Sequence, residues 1–174
     1  FTAEQNIIMG LPGKNRLDMK AISAEIQTLI EKYGFEMDTR KKIYEMSVSE
    51  KQTVEIMKVL YRGAKILILD EPTAVLTPQE TEKLFSVLRR MKEDGKAIII
   101  ITHKLHEVLD ISDRVAVLRK GEYIGCVDTK DADELSLTEM MVGKKVELDI
   151  ERPKPKNVKT RIKVEHLTCT DQYG

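Results

Sequence analysis

Apolar positions along the chain follow two rhythms. A helix is expected through Val54, Met57, Val59 and Leu60, and steps of three and four run through Ile22, Ile26, Leu29, Ile30 and Tyr33 and through Leu84, Val87, Leu88 and Met91. That spacing places each set on one face of a helix. Punctuation agrees: Asp18, Ser47 and Thr77 precede the three stretches, and Gly34, Gly63 and Gly95 follow them, as helix caps and stops do. Thr77-Pro78-Gln79-Glu80 is a capping box with proline at the first helical position. The second rhythm is unbroken. Ile66 to Leu69 and Ala97 to Ile101 are β-branched and leucine runs with no alternation, too short for helices. They predict two strands buried on both faces, joined by the third helix as a strand–helix–strand crossover in a parallel sheet.

Smaller elements fill the remainder. Thr2 caps a short helix ended by Gly10, and a second short helix is expected from about Asp38 to Glu45, with Asp38 as its cap. Leu105 to Ile111 reads as a helix. Arg114–Arg119 and Glu122–Val127 form a hairpin through Lys120-Gly121. Ser136-Leu137-Thr138-Glu139 is expected to cap a last small helix that Gly143 ends. After about Ile150 the composition shifts. Glu151–Asn157 is a charged, proline-containing linker, and Arg161–Leu167 alternates like the first strand of a further domain.

Composition narrows the function classes. Lysine plus arginine equals aspartate plus glutamate at 29 each in 174 residues, a formal charge of +0. That argues against a nucleic-acid-binding domain dominated by phosphate contacts. Cys126 and Cys169 are too few and too distant to make a disulfide framework, which fits a reducing cytosol. The longest apolar run, Ala97–Ile101, is far too short to span a bilayer. No N-terminal signal sequence is visible. Any work at a membrane is expected to go through a partner.

The chemistry concentrates at strand ends. Asp70-Glu71 closes the first apolar run, where open α/β sheets place their ligands, and Pro72 ends the strand. A nucleotide hydrolase needs such a pair, with Asp70 at Mg²⁺ and Glu71 orienting or deprotonating the attacking water. The plainer alternative is a pair of acids opening a turn. Thr102-His103 ends the second strand on the same edge, where an imidazole can hydrogen-bond a γ-phosphate and respond to its loss. His106 and His166 have no such address and read as structural. The Ser47-Val48-Ser49-Glu50 segment offers helix N–H groups and hydroxyls that either cap the helix or bind a phosphate. Leu11-Pro12-Gly13-Lys14-Asn15 imitates a phosphate-binding loop. However, Ile8 stands where the first glycine belongs and Asn15 where the hydroxyl belongs, and no strand leads into it. It reads as a turn.

Ser47 to Gln52, a helix ending Tyr61-Arg62-Gly63-Ala64, then Ile66-Leu67-Ile68-Leu69-Asp70-Glu71-Pro72-Thr73-Ala74-Val75-Leu76-Thr77-Pro78-Gln79-Glu80: this order of motifs resembles the ABC-type ATPases. The resemblance runs from about residue 1 to 150 and is closest to the first nucleotide-binding domain of the tandem ATPases in simple-sugar and nucleoside importers. It implies an α/β, P-loop NTPase-like fold, with a parallel sheet and a helical subdomain, incomplete at both ends. Residues 1–150 are then the later part of one ATPase domain, with the helical subdomain over about 11–63 and the core part over about 64–150. Residues 151–160 are a linker, and 161–174 open a second ABC domain.

The resemblance also implies roles. Asp70 matches the metal-site acid, Glu71 the catalytic glutamate and His103 the switch histidine. Ser47, Val48, Ser49 and Glu50 match the signature loop that faces the ATP of a partner domain. ATP and Mg²⁺ are the implied cofactors. A second ABC ATPase domain, transmembrane permease subunits and, indirectly, a solute-binding protein are the implied partners, with no nucleic acid, at the cytoplasmic face of the cell membrane. The sequence departs from the pattern in having Ser49 where glycine is usual, Lys51 where glutamine is usual and Thr77 where many relatives place aspartate. It holds no Gly-x-x-x-x-Gly-Lys-Ser/Thr, so these residues alone are expected neither to bind ATP tightly nor to hydrolyse it, while the parent protein does both. Two rivals stand beside this reading: a soluble ABC ATPase of DNA repair or translation, and a non-catalytic module in which only the helical segment matters.

Overall fold

The computed structural model describes residues 1–11, 18–144, 163–166 and 168. The Leu11–Asn15 turn beyond its first residue, the linker over 151–157, Arg161, Ile162 and Leu167 of the expected strand over 161–167, and Cys169 lie outside the described residues. The described part of that strand, Lys163–His166, is not in a ladder.

The helical elements follow the apolar rhythm. Helix α1 (Ala3–Ile8) is capped by Thr2 in a reciprocal box with Gln5. Helix α2 (Met19–Tyr33) starts at Asp18, whose carboxylate accepts from the Lys20 and Ala21 amides, and stops at Gly34, left-handed at φ 70°. Helix α3 (Val48–Tyr61) is capped by Ser47 with Glu50 completing the box. The helix expected from Asp38 to Glu45 does not form. Only a 3-10 turn at Ile43–Glu45 exists there. The cause is a competing demand: the Ala3 and Glu4 amides, orphaned at the start of α1, donate to the Lys41 and Thr39 carbonyls at 3.0 Å each. Lys42 also bridges to Thr2 in antiparallel fashion. A helix over 38–45 would turn those carbonyls inward.

Strands β1 (Ile66–Asp70) and β2 (Ala97–Ile101) pair in parallel from Ile66↔Ala97 to Asp70↔Ile101, with α4 (Pro78–Glu93) as the crossover. The Thr77–Glu80 capping box and Pro78 at its start are as expected. The expectation that both strands are covered on both faces is wrong. Leu67 and Leu69 are buried, whereas Ile66 and Ile68 are 60% and 63% exposed, and Ile99 and Ile101 are 51% exposed. The apolar core packs on one face of this two-stranded sheet, and no described element covers the other. An unbroken apolar run shows that both faces tolerate burial, not what buries them.

Helix α5 (Leu105–Ile111) leads to the hairpin of β3 (Arg114–Arg119) and β4 (Glu122–Asp128). Lys120 and Gly121 both take positive φ at its turn, which matches the twist of the two strands. Helix α6 (Glu134–Val142) starts three residues earlier than the Ser136 box implies. Asp133 is its cap and Ser136, the third residue of the helix, is the partner that reaches back. Gly143 ends it, as expected.

One core spans the helices and the parallel sheet: Ile7, Ile26, Tyr33, Met57, Leu69 and Leu88 belong to a single buried cluster. Asp94, just past α4, ties the end of α2 to it, accepting from Tyr33 Oη at 2.6 Å and pairing with Lys32 Nζ at 2.6 Å. The Lys32 ammonium, then the Tyr33 hydroxyl, hold the Asp94 carboxyl below its ordinary range. Because the folded value is depressed, this contribution is full above the unfolded value, about pH 4, and is lost as pH falls through the folded value. Asp94→Asn should therefore lower the urea midpoint at pH 7, and the gap to the parent should close as the protein is acidified below about pH 4.

Candidate functional site

The site grows out of strand register. Parallel pairing brings the C-terminal ends of β1 and β2 level, and it continues one residue further, with the Glu71 amide donating to the Ile101 carbonyl at 2.8 Å. Immediately there the chain turns: Glu71 sits at φ 43°, left-handed for a residue that is not glycine. Such a conformation costs roughly 1–2 kcal/mol and persists where its surroundings hold it. Glu71 Oε1 lies 2.8 Å from His103 Nδ1, although the two are 32 residues apart in sequence. With Nδ1 protonated, the imidazole donates to the carboxylate and turns Nε2 outward. The His103 side chain is 73% exposed, so that nitrogen is available to a ligand. Thr102 Oγ1 stands 3.5 Å from Glu71 Oε2, at the limit of a hydrogen bond. Asp70 is exposed at the strand end beside them.

The structure therefore brings Glu71 and His103 into contact, with Asp70 preceding Glu71 at the same strand end. It does not bring Ser47, Val48, Ser49 and Glu50 to them. Those four open α3 and, apart from Val48, line a separate cleft of about 800 Å³ with Leu76, Gln79 and Glu80. Ser47 and Glu50 are engaged with each other: Glu50 N donates to Ser47 Oγ at 3.2 Å, and Ser47 N to Glu50 Oε2 at 2.7 Å. Lys41 Nζ also holds the Glu50 carboxylate, at 2.7 Å. The Lys41 ammonium, then the Ser47 amide, keep Glu50 below its ordinary range. Val48 is 60% exposed, and Ser49 is half-buried at the cleft.

Several residues that matter to this edge carry no role that the sequence assigns them. Gln52 Nε2 donates to the Pro72 carbonyl at 2.9 Å, linking the α3 segment to the turn after β1. Its position three residues past Ser49, on the same helical face, was the available signal. Thr73 is fully buried, and its hydroxyl donates to Glu107 Oε2 at 2.6 Å. Lys104 Nζ donates to the Thr73 carbonyl, to Thr73 Oγ1 and to Glu107 Oε1 at 2.9, 3.1 and 3.1 Å. Glu107 gave no such signal, because an acid in the first turn of a helix reads as a partner of the helix dipole.

The residues present fit a magnesium ion. Asp70 offers hard carboxylate oxygens at an exposed strand end. Mg²⁺ beside phosphates is held in this manner, by one or two carboxylates, waters and the phosphates themselves.

Known proteins resemble this chain in sequence and in fold. The family described as ABC transporter matches residues 1–74. The chain is 42% identical over 169 residues to the glucose import ATP-binding protein TsgD13 of Haloferax volcanii, covering 97% of this chain and 31% of that protein. It is 44% identical over 168 residues to the nucleoside import ATP-binding protein NupA of Lactococcus lactis, covering 94% and 33%. The chain thus spans about a third of the length of these curated relatives. Among solved structures, cbiO1 from Clostridium perfringens, part of the ABC transporter complex cbiONQ, superposes with a TM-score of 0.64 at 30% identity, covering 75% of this chain and 53% of that one. MJ1267, an ATP-binding cassette of an ABC transporter, shares the fold with a TM-score of 0.66 at 21% identity, covering 80% and 62%.

The backbone of Glu71 can be tested directly. Glu71→Ala and Glu71→Gly both remove the contact to His103, but only glycine accepts φ 43° without strain. Glu71→Gly should be the more stable of the two by about 1 kcal/mol in a urea melt. Equal midpoints, or a more stable alanine variant, would contradict a left-handed Glu71.

Proposed function

Because this chain carries the sequence and the fold of the ABC-type ATPases, we propose that it supplies the hydrolytic edge and the signature segment of a transport ATPase that drives uptake of a simple sugar or a nucleoside. The observation that carries the reading is the 2.8 Å contact between Glu71 and His103 at the shared end of two parallel strands, next to Asp70. In this reading Glu71 orients or deprotonates the attacking water. His103, anchored through Nδ1, presents Nε2 to the γ-phosphate and registers its loss. Asp70 holds Mg²⁺, which when bound neutralises charge on phosphate oxygens.

Ser47, Val48, Ser49 and Glu50 sit away from that edge, which is what a segment serving a second nucleotide requires. They face the ATP of a second ABC domain clamped head to tail against this one. Closure of the clamp moves permease subunits in the membrane, and a solute-binding protein delivers the cargo from the far side. The ATPase acts as a peripheral subunit at the cytoplasmic face, and no helix among the described residues is long and apolar enough to cross a membrane. Names of the relatives, a glucose and a nucleoside import ATP-binding protein, support the solute class. Co-purification with permease subunits separates this reading from a soluble ABC ATPase.

The full-length protein should show Mg²⁺-dependent ATPase activity, and Glu71→Gln should lower its kcat by at least about 100-fold while ATP still binds. A Glu71→Gln protein that keeps its rate, or its solute uptake, overturns the proposal and leaves the interaction module. The 174 residues alone, which hold no phosphate-binding Gly-x-x-x-x-Gly-Lys-Ser/Thr, should show no Glu71-dependent hydrolysis.

A further inference from the structure

The turn after β1 contains the strained Glu71, and something must hold it. Hydrophobic packing accounts for part: Pro72 and Thr73 are buried. The remainder is polar. Thr73, at 0% exposure, and Glu107, at 6%, are the only buried polar or charged residues among those described, and they are bonded to each other at 2.6 Å. Lys104 closes the triangle with all three of its hydrogens, on the Thr73 carbonyl, the Thr73 hydroxyl and the Glu107 carboxylate. Every member is satisfied, and a fully satisfied buried network rigidifies what it joins. What it joins is the turn carrying Glu71 and the segment carrying His103, for Thr73 lies two residues beyond the first and Lys104 one residue beyond the second.

We propose that Thr73, Lys104 and Glu107 form a positioning clamp that fixes Glu71 against His103, setting the carboxylate for hydrolysis without touching the nucleotide. The clamp rests on the ATPase reading above. Its logic is geometric. The β1–β2 ladder ends at the Glu71 amide, and beyond that point nothing in the sheet controls the spacing of the two exits. The Lys104 bond to the Thr73 carbonyl replaces the next rung by a side chain. The bond from Gln52 to the Pro72 carbonyl pins the same turn from the α3 side. A left-handed residue held at its amide by the last rung of the ladder and followed by two such anchors cannot relax toward the strand conformation without breaking one of these bonds.

The test uses the full-length protein, with Thr73→Val, which removes the hydroxyl at nearly constant volume, and Thr73→Ser, which keeps it. In Thr73→Val, amide exchange over residues 70–74 should quicken by about tenfold. Its kcat should fall by about 10- to 100-fold, as expected for a displaced catalytic group, with KM for ATP within about twofold. Thr73→Ser should restore both readouts to within about threefold of the parent. If Thr73→Val does not fold, Lys104→Met, which keeps the aliphatic stem and loses the ammonium, should give the same kcat loss at unchanged KM. A folded Thr73→Val or Lys104→Met protein with parental kcat overturns the clamp, as does faster exchange with no change in kcat, or a serine variant that fails to rescue. Failure of the ATPase reading looks different: Glu71→Gln then keeps the parental rate, and parental exchange in Thr73→Val would sink the clamp as well.

Discussion

The parallel, in-register pairing of β1 with β2 is the constraint on which the rest depends. It makes Asp70 and Ile101 partners, so that two chain exits separated by a whole crossover helix leave the sheet side by side. Carboxylate and imidazole need this geometry to meet, and neither α4 nor α5 could supply it, because each only has to return or continue the chain. Parallel pairing demands a crossover of a dozen residues or more. The capped helix α4, with proline at its first position, supplies that crossover and buries Phe85, Val87, Leu88 and Met91 beneath the sheet. Packing and site are thus the same requirement seen from two ends of the strands.

Stability is spent unevenly. One apolar cluster runs from α1 through α4, while the edge that carries Glu71 holds a left-handed non-glycine residue and a buried carboxylate. A sequence selected for stability alone would place glycine at 71. Retaining the costly choice makes sense where an acid must stand at a fixed place beside an imidazole. The open apolar face of Ile66, Ile68, Ile99 and Ile101 is a different feature. It lies along the sheet, and the exposed positions of β1 that form it end at Asp70.

Much of this was legible from the chain, for stated reasons. Helices announced themselves through rigid punctuation: Asp18, Ser47 and Thr77 at their starts, and Gly34 and Gly143 in left-handed conformation at two ends. Strand ends were legible because apolar runs stop abruptly at Asp70 and Thr102. What failed did so where the answer depended on distant chain. Residues 38–45 have an acceptable helix pattern, but α1 needs their carbonyls. Ser136 is an acceptable cap, but Asp133 three residues earlier makes the box with it. Ile68 has the composition of a buried residue, but its cover is not among the described elements. Glu107 looks like a surface acid, and only the fold puts Thr73 and Lys104 around it.

The most direct measurement is the structure of the full-length protein with Mg²⁺ and a non-hydrolysable ATP analogue. The expected result is a γ-phosphate about 3 Å from His103 Nε2, with Mg²⁺ beside Asp70 and a water between Glu71 and the phosphorus. Signature residues Ser47 to Glu50 should then face a second nucleotide. Phosphates bound away from the β1–β2 edge, with Asp70, Glu71 and His103 left to solvent, would contradict the assignment of hydrolysis to these residues.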